Sequence, residues 1–386
     1  MTPGARMAAA IEILDAISGG VAAEQALTRW ARTSRFAGSK DRAAVRDHVF
    51  DALRHWRSDA VRGGGQSGRA RMIGRCRAEG VDPDTLFHGQ GHAPAPLSDA
   101  ERATGQPPDD LADRWDMQPW LVPLLQDSLQ DDAERTALAL TQRAPVTLRI
   151  NLAKTDVATA EAALIAQDVE TRRNPRAATA LTVTKGARRV RSSDAFATGL
   201  VELQDASSQA AVLNLQGPGS ALDLCAGGGG KALALAALGW SVTAHDIDPA
   251  RMSDLPKRTD RGGHTVKVSG TADVVASAPF DLVFVDAPCS GSGTWRRTPE
   301  AKWTMTQERL AELIAMQRAV LDQAAALVRP GGTLAYATCS VLRCENTDQV
   351  EAFFGRHPRF DASHVQHWQV DESGDGFFAA HLTKRE

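Results

Sequence analysis

L-D-L-C-A-G-G-G-G-K, residues 222–231, is a short apolar strand that runs into four glycines and a lysine. Glycine lets the backbone turn sharply and lie close against a ligand, and a helix starting at the lysine aims its free N–H groups there. Two later strands end on a thiol. D-L-V-F-V-D-A-P-C-S (residues 281–290) stops at Cys289, and T-L-A-Y-A-T-C-S (residues 333–340) stops at Cys339. Around them strand and helix alternate: residues 221–225, 241–247, 282–285 and 333–338 read as strands, and residues 231–238, 307–327 and about 345–354 as helices. This alternation predicts a mostly parallel sheet covered on both faces, an α/β Rossmann-like domain over residues 216–386. Such sheets take their ligands just beyond the carboxyl ends of the strands, where both thiols fall.

Upstream the pattern changes. Residues 1–80 read as an all-helical domain: Ala8, Ile11, Leu14 and Ile17 recur at helical spacing until Gly19-Gly20. Helices follow at 22–33 and 42–56, with Ser39 or Asp41 placed to cap the latter, and a short one at about 69–78. Residues 81–110, rich in Pro, Gly, Asp and His and without a period, predict a linker. Residues 111–215 predict helices to about 142 and then a small α+β segment, with strands at 146–152, 180–184 and 200–204 and a helix at 157–166.

The chain has 386 residues, 43% hydrophobic and 24% charged, which suits a soluble globular protein of two or three domains. No apolar run is long enough to span a membrane, and the start lacks a signal-peptide core, so a cytoplasmic protein is expected. Five scattered cysteines without C-x-x-C spacing predict reduced thiols and no metal site. The net charge of −3 is uneven: residues 1–95 carry 14 Lys+Arg against 10 Asp+Glu, the rest 30 against 37. The excess lies between Arg32 and Arg77, where 12 basic residues face 4 acidic ones, and suggests either a polyanion partner or a solvated arginine-rich surface.

Residues 227–232 fit G-x-G-x-x-A, and Asp246, ending the next strand, is placed to hold ribose hydroxyls. That suits NAD and S-adenosylmethionine equally. The thiols break the tie, because a nicotinamide dehydrogenase has no use for D-A-P-C and T-C-S at two strand ends. Methylation of cytosine at C5 does: a thiolate adds at C6 to make C5 nucleophilic, and a second group then helps release the product.

D-L-C-A-G-G-G-G-K, A-H-D-I-D-P-A-R-M, D-A-P-C-S-G-S-G-T-W-R-R-T-P-E-A-K-W and Y-A-T-C-S-V-L-R-C-E-N resemble, in order and spacing, the Sun-type RNA cytosine-C5 methyltransferases, most closely the bacterial RsmB type acting on 16S ribosomal RNA. A-P-V-T-L-R-I-N (144–151), L-Q-D-A-S-S-Q (203–209) and D-G-F-F-A-A-H-L (375–382) extend the resemblance, and F-A-G-S-K-D-R-A-A-V-R (36–46) is similar to a NusB-like helical RNA-binding domain. The resemblance implies Cys339 as nucleophile, Cys289 in product release and Asp286 between cofactor and base. It implies S-adenosylmethionine held by Cys225, Ala226, Gly227, Gly228, Gly229, Gly230, Lys231, Asp246 and Asp286. RNA would meet Arg296, Arg297, Lys302 and, on the helical domain, Arg69, Arg71, Arg75 and Arg77, while Trp303 is either a base-stacking or a core residue. A monomer acting on ribosomal RNA, without a metal, is expected. Alternatives are a transfer-RNA enzyme with the same core and a non-catalytic ribosome-assembly factor that binds RNA.

Three departures from the family pattern carry expectations. Gly228 stands where the family has proline and Ala232 where it has threonine, which predicts a looser loop. Gly270 stands where an acid would meet adenine. The basic segment at 62–77 is short and glycine-interrupted for a helical bundle.

Overall fold

In the computed structural model, which describes every residue except Gln216, the chain forms two sheets and a helical bundle. β1 (Thr147–Ile150), β2 (Glu170–Arg173), β3 (Ala180–Lys185) and β4 (Val201–Leu203) make an antiparallel sheet in the order β2-β3-β1-β4. The larger sheet contains β5 (Ser220–Asp223), β6 (Ser241–Ala244), β7 (Val266–Val268), β8 (Phe280–Asp286), β9 (Val328–Thr338), β10 (Phe360–Trp368) and β11 (Phe377–Lys384), in the order β10-β11-β9-β8-β5-β6-β7. β5 to β9 are parallel, and β10 and β11 close the sheet antiparallel. The strand order reverses at β5, so the loops leaving β5 and β8 diverge and open a crevice at the carboxyl end of the sheet.

Burial on both faces explains the continuous apolar runs. Leu282, Phe284, Ala335 and Ala337 face one layer, which includes Leu233 and Leu235 of the helix Gly230–Ala237. Their neighbours Val283, Val285, Leu334 and Tyr336 face the other, with Leu321 and Ala324 of the helix Gln307–Leu327 and Phe353. Each large apolar side chain so buried contributes about 1.5–3 kcal/mol.

Two compact units result, one of residues 144–294 and 305–386 holding both sheets, the other of residues 1–143 and 295–304. The second is built on α1 (Pro3–Ser18), α2 (Ala23–Thr33), α3 (Ser39–Arg54), α4 (Trp56–Gly63) and α5 (Gly68–Ala78), which enclose Ile13, Leu14, Trp30, Val45, Val49, Leu53, Met72 and Ile73. The expected cap of α3 is absent: Gly38 occupies the cap position without a side-chain bond, and Asp41 instead accepts Arg6 Nε at 2.9 Å. The glycines that made 62–77 look too broken for a bundle are what lets it pack. A Cβ at Gly63 would stand 1.8 Å from the Ala70 carbonyl oxygen, and one at Gly74 would stand 1.9 Å from that of Asp59, so α4 and α5 touch backbone to backbone.

Residues 81–110 are not a free linker, because Phe87 and Leu97 are buried in this helical core. The helices before residue 143 also belong to this unit, so the break falls inside the segment expected to run from 111 to 215. One tie is Asp116, whose carboxylate accepts Arg57 N and Ser58 N, each at 2.9 Å, and caps α4 from a distance in sequence.

Asp59 is fully buried, and neither carboxylate oxygen accepts a hydrogen bond among the described residues. Burial pushes its carboxyl up to about 8 against the opposing pull of Arg75, 3.8 Å away. A raised carboxyl contributes stability that is fully present below its unfolded value near 4 and is lost as pH rises through about 8. The thermal midpoint should therefore fall from pH 5 to pH 8, by at most about 1.4 kcal/mol of stability per pH unit. In Asp59→Asn that part of the slope should vanish in a melting series over the same range; an unchanged slope assigns it to other groups.

Candidate active site

The glycine turn joins β5 to the helix Gly230–Ala237. Gly227 and Gly229 hold left-handed backbone (φ +49° and +78°), and a Cβ at Gly229 would lie 2.2 Å from Leu255 Cδ1. The turn around Gly228 is tied on several sides. Gly227 N donates to Asp246 Oδ2 at 2.9 Å and Gly229 N to the Ala226 carbonyl at 2.8 Å, while Arg258 Nη1 donates to the Gly228 carbonyl. Asp246, buried at the end of β6, also pairs with Arg251 at 3.0 Å. Gly270 caps the helix Thr271–Ser277, and Asp273, the acid nearest in sequence, is exposed in its first turn. His245 is structural, bridging the Leu224 carbonyl and Thr271 Oγ1 at 3.0 Å each.

One acid in the opening stretch carried no role in the sequence reading. Asp223, the last residue of β5, is fully buried, and neither oxygen accepts a hydrogen bond among the described residues. Burial, then the nearby charge of Asp286, pushes its carboxyl up to about 7.

β8 and β9 are adjacent and parallel with Asp286 opposite Ala337, so the residues just beyond each strand emerge side by side. That register brings together two thiols 50 positions apart: Cys289 Sγ lies 3.5 Å from Cys339 Sγ. The hydrogen bond to Cys339, together with burial, holds the Cys289 thiol well above the ordinary range. Lys231, in the first turn of its helix, donates to Asp286 Oδ2 at 2.7 Å and lies 5.1 Å from the Phe377 ring centre. Its ammonium is stabilised by Asp286 and, next, by negative charge on Cys339. Burial pushes the other thiols up, Cys225 and Cys344 to about 12 and Cys76 to about 11, so none is poised to react. Cys76 is part of the helical core, and its flanking arginines do not activate it.

Most of the predicted RNA contacts turn inward. Arg69 bonds Glu101 at 2.6 Å and the carbonyls of Ala95 and Pro96. Arg71 is buried, bonds the Trp56 carbonyl and Gln66, and stacks 3.6 Å over the Trp56 ring. Arg75 pairs with Glu79 at 3.1 Å, and Arg77 bonds the carbonyls of Arg62, Glu101 and Thr104. These four staple α5 to its neighbours. Arg296 and Lys302 are also buried; the Arg296 carbonyl accepts Arg54 Nε at 2.8 Å, and burial lowers the Lys302 ammonium to about 8 against the pull of Asp116. Trp303 packs on the helical core and donates Nε1 to the Leu53 carbonyl at 2.7 Å, which makes it a core residue. Arg297 alone of the seven basic candidates is exposed. Arg71→Ala should therefore cost about 2–4 kcal/mol of stability, read by denaturant unfolding, and leave the salt dependence of RNA binding unchanged. A flatter salt slope at unchanged stability would return Arg71 to the RNA surface.

Residues 210–383 match the family described as 16S rRNA methyltransferase RsmB/F, and residues 118–190 match the RsmF/B-like ferredoxin-like domain. Residues 210–383 belong to the RsmB/F methyltransferase family. Over 207 residues the chain is 40% identical to the ribosomal RNA small subunit methyltransferase B of Salmonella typhi, covering 49% of this chain and 48% of that protein. The chain thus spans about half the length of the curated relatives it matches. Among solved structures, that of PH0851 is similar over 100% of this chain and 99% of its own, with a TM-score of 0.78 at 23% identity. A methyltransferase homolog protein from Pyrococcus horikoshii is similar over 69% of this chain and 100% of its own, with a TM-score of 0.59 at 23% identity. At these identities the two structures show the fold alone, a Rossmann-like sheet preceded by a helical region.

Proposed function

We propose that this protein methylates C5 of a cytosine in RNA, with S-adenosylmethionine as methyl donor and small-subunit ribosomal RNA as the substrate class. The observation that carries the reading is the pair of sulfurs 3.5 Å apart at the ends of adjacent parallel strands, beside the Lys231–Asp286 ion pair. The residues at the mouth of the crevice fit the donor. The glycine cradle is closed to any Cβ at Gly229, the buried acid Asp246 would take the ribose, and the unsatisfied Asp223 and the Lys231-paired Asp286 would take the amino-acid end. Bound S-adenosylmethionine supplies an electrophilic methyl group; all else is done by the chain.

With the Cys289 thiol held well above the ordinary range, attack falls to Cys339, whose thiolate adds to C6 of the cytosine. Asp286, kept in place by Lys231, is positioned for the N3 edge of the base, where it offsets the charge that addition creates. Addition also turns Cys339 into a neutral thioether. The hydrogen bond to Cys339 and the charge there then disappear, leaving burial as the main cause that raises the Cys289 thiol. Cys289, now the easier acid, releases its proton to solvent, its thiolate takes the C5 proton, and expulsion of the Cys339 thiolate restores the pair. Arg297 is the proposed phosphate contact.

The reading is tested by incubating the full chain with methyl-tritiated S-adenosylmethionine and protein-free small-subunit RNA, then digesting to nucleosides. Label in 5-methylcytidine supports it. Label in another nucleoside overturns the chemistry, and no label in a chain that binds the donor favours a non-catalytic RNA-binding factor.

A further inference from the structure

Beneath the two sulfurs lies a carboxylate that pairs with no cation among the described residues. Glu345 is fully buried. Its Oε1 accepts Ser290 N at 2.7 Å and Gln317 Nε2 at 3.0 Å, and its Oε2 accepts Ser290 Oγ and Ser340 Oγ, both at 2.5 Å. Ser290 follows Cys289 and Ser340 follows Cys339, so one side chain grips the residue next to each thiol. Gln317 Nε2 also donates to the Pro288 carbonyl at 2.9 Å, which holds the other side of Cys289.

The grip is anchored. Tyr336 OH donates to the Glu345 carbonyl at 2.6 Å, and Asn346 accepts Thr338 Oγ1 at 2.6 Å while donating to the Ser340 carbonyl at 3.0 Å. Direct cross-ties join the loops: Ser292 Oγ to Ser340 Oγ at 2.9 Å, and Gly293 N to the Cys339 carbonyl at 2.9 Å. Burying a carboxylate without a cation is unfavourable unless its lone pairs are filled, and here four neutral donors fill them. Such a network holds one geometry, because any displaced member leaves a buried charge unsatisfied.

We infer that Glu345 is the positioning residue of the thiol pair: as the shared acceptor of the Ser290 and Ser340 loops it sets the distance between Cys289 and Cys339, and it acts only through them. This rests on the proposed function for the reaction that the spacing serves. An amide at this position replaces one acceptor with a donor that opposes the serine hydroxyls, and an aspartate is one methylene too short to hold both loops.

The test measures thiol proximity directly in the full chain. Diamide, a diazene, takes up the two thiol hydrogens and becomes the hydrazine as a Cys289–Cys339 disulfide closes, which peptide mass spectrometry follows with time. Glu345→Gln and Glu345→Asp should slow closure about 10-fold or more and lower kcat about 100-fold, while S-adenosylmethionine affinity by calorimetry stays within about 2-fold because the glycine turn is untouched. If either variant loses its cooperative melt, Ser290→Ala and Ser340→Ala each remove one donor and should slow closure in the same direction. Wild-type closure rates in folded variants would overturn the inference even if stability fell, since a merely structural glutamate leaves the spacing alone. Slowed closure in a chain whose wild type methylates no RNA would keep the positioning role and overturn only the reaction assigned above.

Discussion

Cys339→Ala is expected to lower methyl transfer to RNA by about 10⁴-fold or more, the scale seen when a covalent nucleophile is removed. C5 of cytosine attacks an electrophile only after something adds at C6, and alanine adds nothing. Cys289 is poorly placed to take over despite lying 3.5 Å away, because burial alone continues to hold its proton once Cys339 is gone. S-adenosylmethionine affinity should stay within about 2-fold, since the turn that would cradle it is tied to Asp246, Ala226 and Arg258 and not to Cys339. Initial rates with tritiated donor, set beside calorimetric titration, separate the two effects. Turnover within a few-fold of wild type would reassign the attack to another group.

Cys289→Ala should have a different failure. Addition and methylation proceed, but the C5 proton has no base and Cys339 is not expelled, so enzyme and RNA stay joined. A slow band on a denaturing gel, sensitive to nuclease and protease, should account for a large part of the protein, while multiple turnover falls about 10²–10³-fold. The double variant Cys289→Ala/Cys339→Ala should give no such band, which fixes the linkage to Cys339. Turnover loss without an adduct would instead make Cys289 a partner in the first step.

The elements that position the site were legible because their cause is local. A strand buried on both faces must be apolar at nearly every position, which is how β8 and β9 read, and a strand that breaks at Asp286-Ala-Pro-Cys289 announces chemistry at its end. The arginines of α5 show the opposite case. Arg69, Arg71, Arg75 and Arg77 read as a polyanion surface because a helical sequence does not say which way a guanidinium points. Most of their partners are carbonyls and acids 15 to 32 positions away, which only the folded chain brings near. Residues 81–110 failed in the same way: Phe87 and Leu97 are too sparse to set a period, yet both reach the core.

Composition, apolar runs and strand-end motifs thus determined the layered α/β fold, the glycine turn beside Asp246 and the two thiols proposed as the reactive groups. Tertiary structure alone decided how those groups are tuned. The register of β8 on β9 sets one sulfur against the other and so raises the Cys289 thiol. The same register lets Glu345 accept from Ser290, 55 positions earlier, and from Ser340, five positions earlier. Periodicity records which face of a strand is buried. Hydrogen bonds and proton sharing depend on distances of a few ångströms between segments that only the completed sheet brings side by side.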